Sequence, residues 1–121
     1  MLTFEKLRAI CQQMPEYLAI VKGAPAGRAR DYVDIHRLRE EYSISFASPL
    51  NQELLTKVFR AKHVPLHLIA RIGDRDVCDF HRAGFVAVKD TIKPGVVLEE
   101  FDYYVDCLVR CSRDLKPLWN E

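Results

Sequence analysis

Apolar residues in this chain recur at three- and four-residue spacing, but proline or glycine interrupts each of these runs. Such spacing places apolar side chains on one face of a helix, and proline or glycine commonly marks where a helix begins or ends. The pattern therefore predicts several short amphipathic helices instead of one long helix or a sheet. The predicted helical or apolar segments are residues 3–14, 16–22, 29–42, 48–59, 66–72, 74–84 and 98–113.

Two further segments have a less defined pattern. Residues 43–47 alternate polar and apolar and permit a short extended piece, while residues 85–92 fit either a strand or a helix. Gly73 follows an apolar run and is predicted to end it in the left-handed conformation. We expect a mainly α fold: a compact bundle of about six or seven short helices with at most one short β element. It forms a single domain over residues 1–121, with residues 114–121 as a tail.

Size and charge narrow the classes of function. A chain of 121 residues fits one domain and can bury a core without disulfides or metal. A formal net charge of +1 argues against strong non-specific binding of nucleic acid. No stretch is apolar for long enough to span a membrane, and charged residues interrupt the first segment where a signal peptide would be apolar. We therefore expect a cytoplasmic protein with reduced cysteines.

The predicted helix 29–42 carries two acids on its inward side, Asp31 and Asp34. A buried charge without a partner is costly, so these carboxylates need an explanation. In one interpretation Arg28 or Arg30 pairs with them in a structural ion-pair cluster. In the other, the acids face a cleft and orient a basic group or a substrate. The apolar residues predicted on the same side are Tyr32, Ile35, Leu38 and Tyr42.

The sequence around these acids resembles a family motif. Lys22 precedes a glycine–arginine loop, and residues 30–35 read Arg-Asp-aromatic-x-Asp-Ile. This resembles the downstream motif of the AbiEii/AbiGii nucleotidyltransferase toxins, over about residues 16–107. The resemblance implies the helical C-terminal part of a toxin from type IV toxin–antitoxin or abortive-infection systems, some of which transfer nucleotides to tRNA. It makes Asp31 and Asp34 candidate catalytic residues, and Lys22 and Arg30 candidate contacts for nucleotide phosphates.

The catalytic half of such an enzyme is missing from the sequence. Nucleotidyl transfer needs paired carboxylates that hold magnesium against the triphosphate, after a Gly-Ser or Gly-Gly turn. The chain has neither dipeptide, and its Asp-x-Asp pair, Asp74 and Asp76, is expected to lie on the surface. We therefore do not expect an enzyme on its own. Magnesium and nucleotide would bind, and RNA would be reached, only through a catalytic partner that completes the site.

Three functions follow as hypotheses. The first is a non-catalytic accessory or truncated domain that acts through a protein partner or by self-association. The second is a helical protein-interaction module with no nucleotide role, in which the Arg-Asp motif is only an ion-pair cluster. The third, and weakest, is a small zinc-binding domain, because zinc takes four sulfur or imidazole ligands. Its candidate ligands are Cys78, His81, Cys107 and Cys111.

Overall fold

The computed structural model describes residues 2–119. Within this range the chain forms seven α-helices, two 3-10 helices and no strand, which confirms the predicted mainly α fold. The α-helices are α1 (Leu2–Cys11), α2 (Pro15–Val21), α3 (Ala29–Tyr42), α4 (Pro49–Ala61), α5 (Arg75–Arg82), α6 (Phe85–Asp90) and α7 (Phe101–Ser112). The 3-10 helices are Leu66–Arg71 and Arg113–Leu118.

Helix α1 lies at the centre of the bundle. It packs on α3 and α4, and α3 in turn packs on α6 and α7. The apolar face predicted for α1 is completely buried, from Phe4 through Cys11. Aromatic rings join the layers: Phe4 meets Phe46 edge-on at 5.8 Å, and Tyr32 of α3 meets Phe101 of α7 at 5.2 Å.

Local sequence signals set several of the helix boundaries. The Ser48 hydroxyl accepts a hydrogen bond from the Asn51 amide at 3.4 Å, and proline occupies the first turn of α4, as predicted. The segment 85–92, which fitted either a strand or a helix, contains α6. Residues 43–47 form turns and bends instead of an extended piece, and Phe46 fixes them to the core.

The prediction for Gly73 was wrong. Among the described residues Gly95 is the only glycine with a positive φ, at 87°. Lys22 and Ser43, which end α2 and α3, adopt the left-handed conformation instead. Gly73 is needed for close packing, because a Cβ atom there would lie 2.7 Å from Cγ2 of Val109. The 3-10 helix before Gly73 can approach α7 only without that side chain.

The predicted tail also differs from the structure. Residues 113–118 form a 3-10 helix in which Leu115 is 1% exposed, and Trp119 is partly buried against the core. The Gln52 side chain donates a hydrogen bond to the Asp114 carbonyl at 2.8 Å, which ties this helix to α4. Residues 114–119 thus belong to the folded domain, while residues 120 and 121 lie outside the described part of the chain.

Tyr42, which was predicted to face the core, is exposed at the end of α3. Leu50, in the first turn of α4, is exposed as well. Leu38 is half-buried. No helix in residues 2–119 combines the length and apolar character that crossing a bilayer requires.

Candidate functional site

The two acids of α3 share a cation that comes from another helix. The Lys6 ammonium of α1 lies 3.0 Å from Oδ2 of Asp34 and 3.5 Å from Oδ1 of Asp31. Lys6 is 25 residues before Asp31, and the packing of α1 on α3 brings them together. Sequence reasoning missed Lys6, because helix periodicity identifies the inward face of each helix but not the neighbour it meets.

The arginines next to the acids complete the cluster at longer distances. Nη1 of Arg28 lies 3.8 Å from Oδ2 of Asp31, and Nε of Arg30 lies 3.8 Å from Oδ2 of Asp34. Arg30 also donates a hydrogen bond to the Thr91 hydroxyl at 3.1 Å. The pairings predicted from sequence are therefore present, but Lys6 makes the shorter ones. These five charged residues, the Lys6 cluster, are Lys6, Arg28, Arg30, Asp31 and Asp34.

Burial and charge act against each other inside the Lys6 cluster. Burial raises the pKa of Asp31, although Lys6 and Arg28 favour its charged form. For Lys6, burial lowers the pKa, but Asp34 and Asp31 together outweigh it, so the net shift is upward. Oδ2 of Asp31 is buried and accepts no hydrogen bond from the described residues. The cluster thus places three cations around two acids at the α1–α3 contact.

Lys22 is separate from this cluster. It ends α2 in the left-handed conformation and is exposed in the loop that leads to α3. No ion pair or hydrogen bond within residues 2–119 joins its side chain to Arg30, Asp31 or Asp34. Of the four residues that the motif singled out, the structure brings together Arg30, Asp31 and Asp34.

The structure does not assemble the four candidate zinc ligands. In the described part of the chain, no group of three or more His, Cys, Asp or Glu residues is placed to hold a metal ion. The thiol of Cys78 donates to the Ile72 carbonyl at 3.5 Å, and that of Cys111 donates to the Leu108 carbonyl at 3.3 Å. Cys78 and Cys111 are buried in α5 and α7, and Cys107 is partly buried on α7.

The remaining candidate, His81 of α5, has a different role. Its Nδ1 accepts a hydrogen bond from the Arg28 amide at 2.9 Å, and the side chain is 1% exposed. Burial lowers the pKa of His81 to about 4, and the charge of Arg28 contributes. The ring is therefore neutral at pH 7 with its proton on Nε2. It packs between the rings of Tyr32 and Phe80, at centroid distances of 5.4 and 5.1 Å.

His81 lines a cleft of about 340 Å³ between α2 and α5, called here the α2–α5 cleft. Most of the lining is apolar, with one acid, Asp76, and one amide, Gln13. Asp76 pairs with Arg71 at 3.1 Å. The apolar lining residues are Pro15, Leu18, Pro25, Val77 and Phe80.

The other side of α2 is an exposed apolar surface. None of the seven residues of α2 is buried, although the sequence Pro-Glu-Tyr-Leu-Ala-Ile-Val is mostly apolar. Ile20 is 73% exposed and Val21 is 49% exposed. Tyr17, three and four residues earlier, is half-buried against the core, and its hydroxyl donates a hydrogen bond to the Lys62 carbonyl at 3.4 Å. We call Ile20 and Val21 the α2 surface; Glu16, which pairs with Arg71, lies at the start of the helix and Lys22 at its end.

No family model, curated protein or solved structure matches this chain. The resemblance of its Arg-Asp motif to the toxin family stays a prediction. The structural features that bear on function are the Lys6 cluster, the α2–α5 cleft and the α2 surface.

Proposed function

We propose that this chain is a non-catalytic helical protein-interaction module that pairs the α2 surface with the same surface of a second copy. The observation that carries this proposal is an apolar helix that buries none of its residues. A helix of about seven residues is marginal in water by itself and depends on tertiary packing. A second protein surface that covers Ile20 and Val21 would add such packing.

Charge at the two ends of α2 favours a second copy as the occupant. Glu16 lies in the first turn, where it pairs with Arg71 but keeps a side chain 45% exposed, and Lys22 lies at the C-terminal end. In an antiparallel pair, the acid of each copy comes near the lysine of the other, and the two helix dipoles oppose each other. The same patch is then used on both subunits, as two-fold symmetry requires.

The Lys6 cluster supports the non-catalytic part of the proposal. Its two carboxylates are already neutralised by Lys6, Arg28 and Arg30. A magnesium ion would have to displace Lys6 before both acids could coordinate it. The motif therefore fits an internal ion-pair cluster that fixes α1 against α3.

Sedimentation equilibrium over a range of protein concentrations tests this function. We expect a reversible dimer, and we expect Ile20→Glu to weaken it by at least about tenfold, since a buried charge in an apolar contact is costly. Val86→Glu is the matched control, because Val86 is 67% exposed on α6, away from α2. A chain that stays monomeric, or an equal effect of both variants, would overturn the proposed pairing.

A second charge variant tests the antiparallel arrangement. Lys22→Glu places two acids near each other in the antiparallel pair and should weaken association, most clearly at low salt. Lys93→Glu serves as a control, because Lys93 lies in the loop after α6. Dimerisation that is insensitive to Lys22→Glu but lost in Ile20→Glu would retain the α2 surface and reject the antiparallel orientation.

One observation favours a second candidate, the accessory half of a nucleotidyltransferase toxin. The Arg28 and Arg30 side chains are 43% and 58% exposed at the start of α3, so a partner could place phosphates there. On this hypothesis the catalytic partner brings magnesium, nucleotide and access to RNA. A cytoplasmic location fits both candidates and agrees with four cysteines that form no disulfide.

Calorimetric titration with ATP, CTP, GTP and UTP in the presence of magnesium addresses this candidate. Neither candidate expects tight binding or nucleotide transfer to RNA by the isolated chain. Tight binding with transfer would overturn the non-catalytic assignment. Weak phosphate binding that Arg30→Ala abolishes, with dimerisation unchanged, would favour the accessory candidate.

A further inference from the structure

His81 has one hydrogen-bonding group that the chain leaves unused. Its Nδ1 accepts from the Arg28 amide at 2.9 Å, which fixes the ring proton on Nε2. No hydrogen bond from Nε2 to an acceptor is found within residues 2–119. His81 is one of the residues that line the α2–α5 cleft. A ring that is 99% buried thus holds, beside the α2–α5 cleft, one N–H donor with no acceptor among the described residues.

The walls of the cleft define the rest of a ligand. The Phe80 ring is 40% exposed and meets the His81 ring edge-on at 5.1 Å. Leu18 and two prolines line the side formed by α2 and the loop after it. The volume of about 340 Å³ lies at the small end of the range of roughly 300–1,000 Å³ for small-molecule pockets. Flat apolar walls of this size fit one aromatic ring with a short substituent.

The charges around the cleft favour a neutral ligand. Asp76 is the charged residue among those lining the cleft, and it repels an anion near the walls. Asp76 shares Arg71 with Glu16 and Asp74, so its carboxylate is held in that ion-pair group at the edge of the cleft. The His81 ring is neutral and presents a donor, which suits an uncharged acceptor such as a carbonyl oxygen.

We propose that the α2–α5 cleft binds a small neutral aromatic molecule whose carbonyl oxygen accepts a hydrogen bond from Nε2 of His81. The apolar walls supply most of the affinity, and the single donor sets the orientation. The two sites use different residues, since Leu18 lines the cleft whereas Ile20 and Val21 form the dimer surface.

Three probe molecules of similar size test this binding site by NMR titration of the isotope-labelled chain. Acetophenone carries the carbonyl, isopropylbenzene has the same outline without an acceptor, and benzoate adds a negative charge. We expect acetophenone to shift the signals of Val77, Phe80 and the His81 Nε2–H, and to bind about five-fold more tightly than isopropylbenzene. Benzoate should bind most weakly.

A substitution that fills the cleft, with a matched substitution at an exposed position, tests where acetophenone binds. Val77→Phe occupies the volume beside Phe80, and Val86→Phe makes the same change at an exposed position on α6. Acetophenone binding should be lost in the first variant and retained in the second. If Val77→Phe does not fold, the comparison of the three probes on the unaltered chain still decides the question.

Each alternative outcome contradicts a specific part of the proposal. The absence of binding by acetophenone up to its solubility limit would reject the site. Equal affinities for acetophenone and isopropylbenzene would reject the role of His81 as donor, and tighter binding of benzoate would reject a neutral ligand. Because these readouts do not depend on dimerisation, they can fail independently of the proposed function.

Discussion

Lys6 is the residue on which both acids of α3 depend. We predict that Lys6→Met, which keeps most of the apolar stem, lowers the free energy of unfolding by about 1–2 kcal/mol. The reason is that Asp31 and Asp34, with side chains 13% and 22% exposed, lose their nearest cation while Arg28 and Arg30 remain at 3.8 Å. Urea denaturation at pH 7 measures the change.

An exposed ion pair gives the control for Lys6. Lys57 pairs with Glu53 one helical turn away, and its side chain is 70% exposed. Lys57→Met should therefore change stability by less than about 0.5 kcal/mol. In the Lys6→Met background, Asp31→Asn should restore part of the loss. Equal effects of the two lysine substitutions would mean that the Lys6 cluster adds nothing beyond a surface pair.

His81 should make stability depend on pH. Its pKa falls from 6.5 to about 4 on folding. Between these two values the imidazole is protonated in the unfolded chain but neutral in the folded chain. Stability present above pH 6.5 is therefore lost as the pH drops towards 4, by about 2–3 kcal/mol in total. Denaturation at pH 7 and pH 4.5 measures this loss.

His81→Gln isolates the contribution of the imidazole. Glutamine retains an oxygen that can accept from the Arg28 amide but does not titrate. The raised pKa of Asp31 acts in the opposite direction and is present in both proteins, so it cancels in the comparison. A pH dependence as steep in His81→Gln as in the unaltered chain would assign the effect to other groups.

At the residue scale, sequence reasoning found half of the site. The inward position of Asp31 and Asp34 follows from helix periodicity, and their pairing with neighbouring arginines follows from spacing. Lys6 and the Arg28–His81 hydrogen bond join positions 25 and 53 residues apart. Those contacts depend on which helix faces become neighbours, and spacing along the chain does not contain that information.

At the scale of elements, the start of a helix was easier to predict than its end. Ser48 followed by proline identifies the beginning of α4 because the cap is a local hydrogen bond. The left-handed ends at Lys22 and Ser43 occur at residues that have no special preference for that conformation. Gly73, which has that preference, is used for contact with Val109.

Gly73→Ala tests this packing role. The new methyl group would lie 2.7 Å from Cγ2 of Val109, so either the Val109 side chain or the two helices must shift. We expect a loss of about 1–3 kcal/mol in the free energy of unfolding. Combining it with Val109→Ala should recover part of that loss beyond the sum of the single changes.

Gly27→Ala is the control for this contact. No atom lies within 4 Å of a Cβ built at Gly27, and its φ is outside the left-handed region. This substitution should be neutral or slightly stabilising, because it restricts the unfolded chain. A similar loss at both glycines would show that flexibility, and not the contact with Val109, explains Gly73.

For the whole molecule, the class of fold was predictable and the arrangement was not. Short apolar runs bounded by proline and glycine indicate a helical bundle, which the structure confirms. The central place of α1 between α3 and α4 depends on the complementary shapes of three helix faces. The closing 3-10 helix was missed because residues 113–118 contain only two leucines and no clear helical period.

Leu115 tests whether that closing helix belongs to the cooperative unit. Leu115 is 1% exposed, so Leu115→Ala should cost about 2–4 kcal/mol through the cavity it leaves. Leu50→Ala, at a position 65% exposed, should cost less than about 0.5 kcal/mol. Thermal unfolding of the two variants distinguishes a packed helix from the predicted tail, for which both changes would be small.

Because Cys11 is completely buried, its chemical modification reports the opening of the bundle. The thiol has no accessible area, and burial raises its pKa, so alkylating reagents cannot reach a reactive thiolate while α1 is packed. The rate at which Cys11 is modified is therefore set by the opening of α1, through either the opening rate or the population of the open state. Cys107, partly exposed on α7, reacts without that opening. One chain thus carries both a probe of core opening and its internal reference.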